Sequence, residues 1–286
     1  MGSMLEVMKK VRPDVPEADI GGAPGFTTSV NPPPDAAQSG PVDEAGHADD
    51  QVVEWQASQV DAAVVAFHDR YSSVCEQFRS IRARLLNMNT TASHRIIAIT
   101  SSLPREGKSV TTLNLGMVMA EGGEHRVLVA DADFRRTSIG RMLGMSGRPG
   151  LAELIRGEQE LARVLCPTPY PNLKILPPGV LGKQSAADLL GSPAVREVLA
   201  ELRHSFDYIY LDSPPVNTVS DVSMLAPHCD GIILVVEMRR TPEPTAQQAV
   251  RTLQGNNIKI LGCILTRHND RRTHYYDRYY SYYRES

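Results

Sequence analysis

The chain has 286 residues, enough for one α/β domain of about 200 residues and a tail or linker. Its formal net charge is −3, from 30 basic and 33 acidic residues, so we expect no nucleic acid among its partners. The four cysteines are scattered, and no apolar run approaches the roughly 18 residues of a membrane-spanning helix. We therefore expect neither a zinc site nor a disulfide framework, and we expect the protein to lie in the cytoplasm.

The first 50 residues differ in composition from the rest of the chain. They hold seven prolines, and nine acidic residues against three basic ones. The run of prolines at 32–34 and the glycine pair at 21–22 interrupt any periodic pattern. Such a stretch buries too little apolar surface to offset the entropy lost on ordering, so we expect residues 1–58 to form a disordered acidic, proline-rich arm.

A domain of the α/β class is predicted for residues 59–267. Apolar residues recur at three- and four-residue steps over 59–88, which predicts an N-terminal helical segment. After it, apolar strands alternate with helices. The predicted strands are 95–101, 126–132, 172–176, 207–212, 231–237 and 258–266, with helices around 108–121, 151–164, 193–204 and 243–254. Near-continuous apolar strands separated by helices indicate a mostly parallel sheet with helices on both faces.

A phosphate-binding loop is predicted between the first strand and the next helix, in RIIAITSSLPREGKSVTTLN (95–114). There, backbone N–H groups at a helix N-terminus bind phosphate oxygens, a lysine reaches the outer phosphates and a hydroxyl ligates Mg²⁺. Outside this context, a Gly-Lys-Ser tripeptide could form an ordinary turn with a surface lysine. The candidate nucleotide-binding residues are Ser102, which stands where the strict pattern has glycine, Pro104, Arg105, Glu106, Gly107, Lys108, Ser109 and Val110.

Two further predicted strands end in carboxylates. VLVADADFR contains Asp131 and Asp133, and YIYLDSPPV contains Asp212. Because ligands bind beyond the carboxyl ends of strands in open α/β sheets, we expect these acids to converge on the loop. Mg²⁺ prefers oxygen ligands, which makes Ser109, Asp131 and Asp212 the candidate metal ligands, with Asp131 alternatively a general base. Each aspartate alone could instead cap a helix.

Together, these segments resemble the bacterial tyrosine kinases, P-loop kinases of capsule and exopolysaccharide biosynthesis. The family's D-x-D-x-R motif is met by Asp131, Asp133 and Arg135, and its D-x-x-P motif by Asp212 and Pro215. The resemblance covers roughly residues 72–286. It implies a P-loop NTPase-like fold, ATP and Mg²⁺ as cofactors, and protein-tyrosine kinase activity. The catalytic residues it implies are Lys108, which binds the phosphates, and Asp131 or Asp133, which accepts the tyrosine proton.

The competing prediction is a ParA/MinD-like partitioning or scaffold ATPase without kinase activity. That class carries a signature lysine near the start of its P-loop, where this chain has Leu103, which cannot contact a phosphate. Arg105 stands where a glycine is common, and we expect it to point to solvent. Relatives often end the last core strand with an asparagine that helps to bind adenine, whereas here the strand ends in residues 265–267, Leu-Thr-Arg, so the adenine pocket is not assigned.

The C-terminal segment 268–286 is unusually rich in tyrosine. Six of the ten tyrosines lie in the last twelve residues, at Tyr275, Tyr276, Tyr279, Tyr280, Tyr282 and Tyr283. A stacking surface, an aggregation-prone tail or chance composition would also account for them. The resemblance implies that they are the phospho-acceptors of autophosphorylation in trans.

A charged triplet precedes the first strand. Glu76, Arg79 and Arg82 fall on one side of a predicted helix, where a solvated face with an intrahelical ion pair is the simplest interpretation. The resemblance instead identifies them as the E-x-x-R-x-x-R motif of ring assembly. It further implies a membrane activator of the polysaccharide co-polymerase type that recruits the chain to the inner face of the membrane, a cognate tyrosine phosphatase, and control of polysaccharide polymerisation and export.

Overall fold

The structure is a computed structural model and describes residues 55–89 and 95–267. Most of the predicted arm, up to residue 54, and the tyrosine-rich tail at 268–286 lie outside the described residues.

Seven strands form one sheet in the order β3-β4-β2-β5-β1-β6-β7. Their bounds are β1 Arg95–Ser101, β2 Val127–Asp131, β3 Cys166–Pro167, β4 Leu173–Leu176, β5 Tyr208–Asp212, β6 Gly231–Glu237 and β7 Ile260–Thr266. Every neighbouring pair is parallel except β3 with β4. All six predicted strands are present, and the prediction of a mostly parallel sheet is confirmed. The two-residue β3 was not predicted.

Ten α-helices and one short 3-10 helix, Ala226–His228, surround the sheet in the described part of the chain. The α-helices are α1 Val65–His68, α2 Ser73–Met88, α3 Lys108–Ala120, α4 Ser138–Met142, α5 Leu151–Ile155, α6 Leu161–Val164, α7 Ala186–Leu190, α8 Ala194–Ser205, α9 Asp221–Leu225 and α10 Glu243–Gly255. The predicted helical segments 59–88 and 151–164 are both present, and each is divided into two helices. Ser72 begins α2 as its N-cap, accepting a hydrogen bond from the backbone N–H of Cys75, and Gly157 with φ 70° follows α5.

The helices cover both faces of the sheet, as predicted. Alternate residues of a strand point to opposite faces, and on β1 Ile97 and Ile99 join one apolar cluster while Ile96 and Ala98 join another. The first cluster includes buried residues of α1 to α4, and the second those of α5 to α10. The sheet is therefore buried on both sides, which explains its near-continuous apolar strands.

Candidate nucleotide site

The predicted phosphate-binding loop lies between β1 and α3. Gly107 has φ 91° and precedes the first residue of α3, Lys108, and its carbonyl accepts a hydrogen bond from the backbone N–H of Thr111 at 2.8 Å. Glycine adopts this left-handed conformation without the steric cost that a Cβ brings. The N-terminus of α3 is thus placed at the carboxyl end of β1, the arrangement that binds phosphate.

Glu106 holds the loop in shape from inside. Its side chain is buried, and one carboxylate oxygen accepts the backbone N–H of Leu103 at 2.8 Å while the other accepts the hydroxyl of Thr241. Its backbone carbonyl accepts the hydroxyl of Thr266, at the end of β7, at 2.7 Å. Although the sequence placed Glu106 among the nucleotide-binding residues, its carboxylate is occupied by the loop's own contacts. Thr241 and Thr266 were missed, because neither belongs to a sequence motif.

Lys108 joins the loop to two of the predicted carboxylates. Its Nζ lies 2.8 Å from Oδ2 of Asp133 and 3.3 Å from Oδ1 of Asp212, and all three side chains are buried. Ser109 also contacts this group, since its hydroxyl accepts a hydrogen bond from the lysine Nζ at 3.3 Å and lowers the pKa of Asp212. Burial alone would lower the pKa of Lys108, but the charges of Asp212 and Asp133 outweigh it and raise that pKa. Lys108 is therefore held firmly as a cation.

Asp131 and Asp133 differ in what their oxygens contact. Both oxygens of Asp131 accept backbone N–H groups, of Asp133 at 3.0 Å and of Ile139 at 3.1 Å. Asp133 uses one oxygen for the backbone N–H groups of the two residues after Phe134 and directs the other at Lys108. Burial, and next the charge of Asp212, raise the pKa of Asp131 well above its usual value. Asp131 is thus a structural carboxylate, whereas Asp133 faces the lysine of the site.

The side chains at the phosphate loop offer oxygen ligands of the kind that Mg²⁺ prefers. No group of three or more His, Cys, Asp or Glu residues is arranged to hold a metal ion in residues 55–89 and 95–267. Mg²⁺ keeps several waters and binds through one or two carboxylates together with substrate phosphates. The Ser109–Asp212 pair at the phosphate loop fits that mode, because it supplies a hydroxyl and a carboxylate without a complete cage.

Four arginines at the ends of the loop, β6 and β7 form a basic rim. Arg105 is exposed, as expected, and its carbonyl accepts a hydrogen bond from Arg240 at 3.1 Å. Buried Glu237 pairs with Arg240 at 3.1 Å and with Arg267 at 2.9 Å, and Arg239 lies beside them in the chain. The described chain ends at Arg267, directly after the strand that contacts the loop.

The charged triplet of α2 makes contacts within the chain. Arg79 binds Glu76 and donates to both oxygens of Glu121 at 2.7 and 2.8 Å, while Arg82 donates to the carbonyl of Val118 at 2.8 Å. Val118 and Glu121 belong to the last turn of α3 and its C-cap. The intrahelical pair is therefore present, but the triplet also holds α2 against α3.

Comparisons with known proteins show what this chain is similar to. The matching family model is ParA, described as NUBPL iron-transfer P-loop NTPase, and it covers residues 92–269. The succinoglycan biosynthesis transport protein ExoP of Rhizobium meliloti is 34% identical over 198 residues, 68% of this chain and 25% of ExoP. The tyrosine-protein kinase CpsD of Streptococcus agalactiae serotype III is 31% identical over 68% of this chain and 83% of CpsD. The matched part is thus a quarter of ExoP but most of CpsD.

The solved structures give the same likeness. The VpsO kinase domain is 33% identical, with a TM-score of 0.61, over 67% of this chain and 93% of that domain. The septum site-determining protein MinD of Pyrococcus horikoshii, complexed with Mg-ADP, is 25% identical, with a TM-score of 0.53, over 63% of this chain and 73% of that protein. Within residues 55–89 and 95–267, no helix is long and apolar enough to cross a membrane.

Proposed function

Because this chain belongs to the bacterial tyrosine kinases, within the ParA-type P-loop NTPases, we propose that it transfers the γ-phosphoryl group of ATP to its own tail tyrosines. The observation that carries this proposal is Lys108, buried between Asp133 and Asp212 at the N-terminus of α3. The sequence supports it, because the tyrosine-rich segment begins two residues after Thr266, the last residue of β7, which contacts the phosphate loop.

The roles follow from the contacts. Backbone N–H groups at the start of α3 and the ammonium of Lys108 bind the phosphates. Ser109 and Asp212 would hold Mg²⁺, which would supply positive charge beside the transferring group when bound. Asp131, the further metal candidate from sequence, supports the loop after β2 through its two backbone contacts. Asp133 is the base, because its Oδ2 faces the site.

Transfer of the γ-phosphoryl group forms one bond to phosphorus, breaks another and releases one proton. The tyrosine oxygen bonds to the γ-phosphorus, the bond from that phosphorus to the ADP oxygen breaks, and the phenolic proton passes to Asp133. A tyrosine has a pKa near 10, so at neutral pH a positioned carboxylate is needed to take that proton. Most of the rate enhancement comes from positioning and charge stabilisation.

The proposed assembly, membrane recruitment and regulation of the chain are those of its family. Glu76, Arg79 and Arg82 mediate a ring in which the tail of one subunit enters the site of its neighbour. A membrane protein of the polysaccharide co-polymerase type recruits the chain to the inner face of the membrane and activates it. A tyrosine phosphatase reverses the modification, and the cycle regulates capsule or exopolysaccharide polymerisation and export.

A ParA/MinD-like scaffold ATPase is the second candidate, favoured by the family model that matches residues 92–269. Leu103 argues against it, because this apolar side chain stands at the signature-lysine position. Its hydrogen bonds come from the backbone alone, with the N–H donating to Glu106 and the carbonyl accepting from the hydroxyl of Ser101. The hypothesis of a scaffold ATPase predicts nucleotide-dependent dimers and ATP hydrolysis without phosphotyrosine.

The test is incorporation of label from γ-labelled ATP, with an anti-phosphotyrosine blot in parallel. Wild type is compared with a variant whose six tail tyrosines are phenylalanine, which leaves the site intact, and with Lys108→Met and Lys108→Arg, each checked for folding by circular dichroism. We expect phosphotyrosine in wild type and its loss in the tail variant and in Lys108→Met. Unreduced incorporation in either of these two variants contradicts the kinase assignment, and ATP hydrolysis without phosphotyrosine in wild type indicates the scaffold ATPase.

A further inference from the structure

Arg135, the last residue of the D-x-D-x-R motif, is held by a buried carboxylate far away in the chain. Its Nε lies 2.9 Å from Oδ2 of Asp221 and its Nη2 lies 3.2 Å from Oδ1, a two-pronged contact. Asp221, the first residue of α9, is 1% exposed, whereas the side chain of Arg135 is 49% exposed. One edge of the guanidinium thus binds an interior carboxylate, and the rest faces the surface.

The pair adjoins the candidate site. The backbone N–H of Arg135 donates to Oδ1 of Asp133 at 3.3 Å, and Oδ2 of the same carboxylate lies 2.8 Å from the ammonium of Lys108. A guanidinium has five N–H groups, and the contact with Asp221 uses two of them. Three N–H groups of a fixed cation are therefore available to an anion that approaches the edge of the site.

The position of α9 shows which side of the site this cation borders. Val222 and Leu225 of α9 pack in the apolar cluster that contains Ala98, on the face of the sheet opposite α3. The phosphates are held at the N-terminus of α3, whose buried residues, such as Leu113, lie in the other cluster. Arg135 therefore contacts the α9 side of the site, which α3 does not cover.

We propose that Arg135 binds an anionic group of the acceptor segment beside the tyrosine being phosphorylated, and that Asp221 is the positioning residue that holds it there. This inference rests on the proposed kinase function. The anion is a carboxylate or a phosphate already added to a neighbouring tyrosine. The tail carries both chemistries, because Asp277 follows two tyrosines and each phosphotyrosine adds about −1.5 to −2 charges.

The test separates donor from acceptor. The donor is the full chain with its six tail tyrosines changed to phenylalanine. The acceptor is the full chain with Lys108→Met and Asp133→Asn, which removes the ammonium together with the nearer of its two buried carboxylate partners. Arg135→Gln, Arg135→Lys and Asp221→Asn are placed in the donor. The matched control is Arg126→Gln, because Arg126 makes a similar contact with Asp207, at 2.9 Å, at the amino ends of β2 and β5.

We expect Arg135→Gln to raise the KM for the acceptor chain about tenfold or more, the usual effect of losing a charge-assisted hydrogen bond, and the KM for ATP less than about twofold. Asp221→Asn acts in the same direction, Arg135→Lys is intermediate, and Arg126→Gln changes neither KM. An unchanged acceptor KM in Arg135→Gln or in Asp221→Asn overturns the inference, as does an equal rise in the KM for ATP. If the parent donor labels no acceptor, the proposed function itself fails.

Two acceptor arms identify the anion. If Asp277→Asn in the acceptor raises its KM for the parent donor but not for the Arg135→Gln donor, the carboxylate is the ligand. If phosphorylation of a first tyrosine instead lowers the KM for the acceptor with the parent donor and leaves it unchanged with the Arg135→Gln donor, the phosphate is the ligand. If the acceptor KM depends on neither group, Arg135 does not bind an anion of the tail and the inference is wrong.

Discussion

Replacing Lys108 by methionine is expected to destabilise the fold as well as to abolish phosphate binding. The ammonium lies 2.8 Å from Asp133 and 3.3 Å from Asp212, and all three groups are buried. Removing one partner of a buried ion pair leaves an uncompensated interior charge and costs about 3–5 kcal/mol. Here the remaining groups are carboxylates close together, so we expect a loss of this size in the free energy of unfolding at pH 8.

The loss depends on pH in a defined direction. Burial raises the folded-state pKa values of Asp131 and Asp212 above the value of about 3.9 in the unfolded chain. A group with a raised folded-state pKa contributes stability that is fully present below its unfolded pKa and is lost as the pH rises through its folded pKa. The charge of Lys108 lowers both pKa values, so its removal raises them further. The deficit of Lys108→Met is therefore largest at pH 8 and shrinks towards pH 5.

The measurement is urea unfolding of the full chain at pH 5, 6.5 and 8, followed by circular dichroism. Lys108→Arg keeps the charge and controls for the change of side chain, and Lys108→Met with Asp133→Asn removes charge on both sides of the pair. We expect Lys108→Arg to unfold near wild type and the double variant to recover part of the deficit. Equal urea midpoints of wild type and Lys108→Met at pH 8 would refute the reasoning. The same loss in the free energy of unfolding at all three pH values would also refute it.

Three further predictions concern backbone geometry and thiols. Gly107→Ala forces a left-handed φ of 91° on alanine at a cost of about 1–2 kcal/mol, so calorimetry should show an ATP analogue bound about 5–30-fold more weakly, and unchanged affinity would contradict it. Gly150→Ala places a Cβ 2.0 Å from the carbonyl oxygen of Pro177, so its free energy of unfolding should fall by about 1–3 kcal/mol, seen as a lower urea midpoint, and an unchanged midpoint would contradict it. Burial raises the pKa of Cys229 and Cys263 to about 12, so a thiol reagent at pH 8 should modify both only after unfolding, and rapid native labelling would contradict it.

The long strands were predictable because their burial leaves a strong mark on the sequence. Each of β1, β5 and β6 is an apolar run that is buried over almost its whole length, and its bounds differ from the prediction by at most one residue. The five-residue helices α4, α7 and α9 were not predicted, because a helix of little more than one turn is too short to show a period. The two-residue strand β3 was not predicted for the same reason.

The convergence of the site was predictable for a related reason. Parallel strands place their carboxyl ends at one edge, so Asp133 and Asp212 could be expected near Lys108 before the structure was known. The contacts that shape the site were not predictable. Thr241 reaches Glu106 across 135 residues of sequence and Asp221 reaches Arg135 across 86, and no local pattern specifies either contact.

The charged triplet of α2 contacts the end of α3 opposite to the candidate phosphate site. Lys108 begins α3, and Glu121 follows its last residue as C-cap, about 20 Å away along a 13-residue helix. Arg79 uses both of its donating edges on Glu121 and Glu76, so a neighbouring subunit that takes up this guanidinium has to compete with those carboxylates. Such competition would change what holds the last turn of α3, whose first turn carries Lys108 and Ser109. The proposed ring contact and the proposed nucleotide site therefore lie at opposite ends of the same helix.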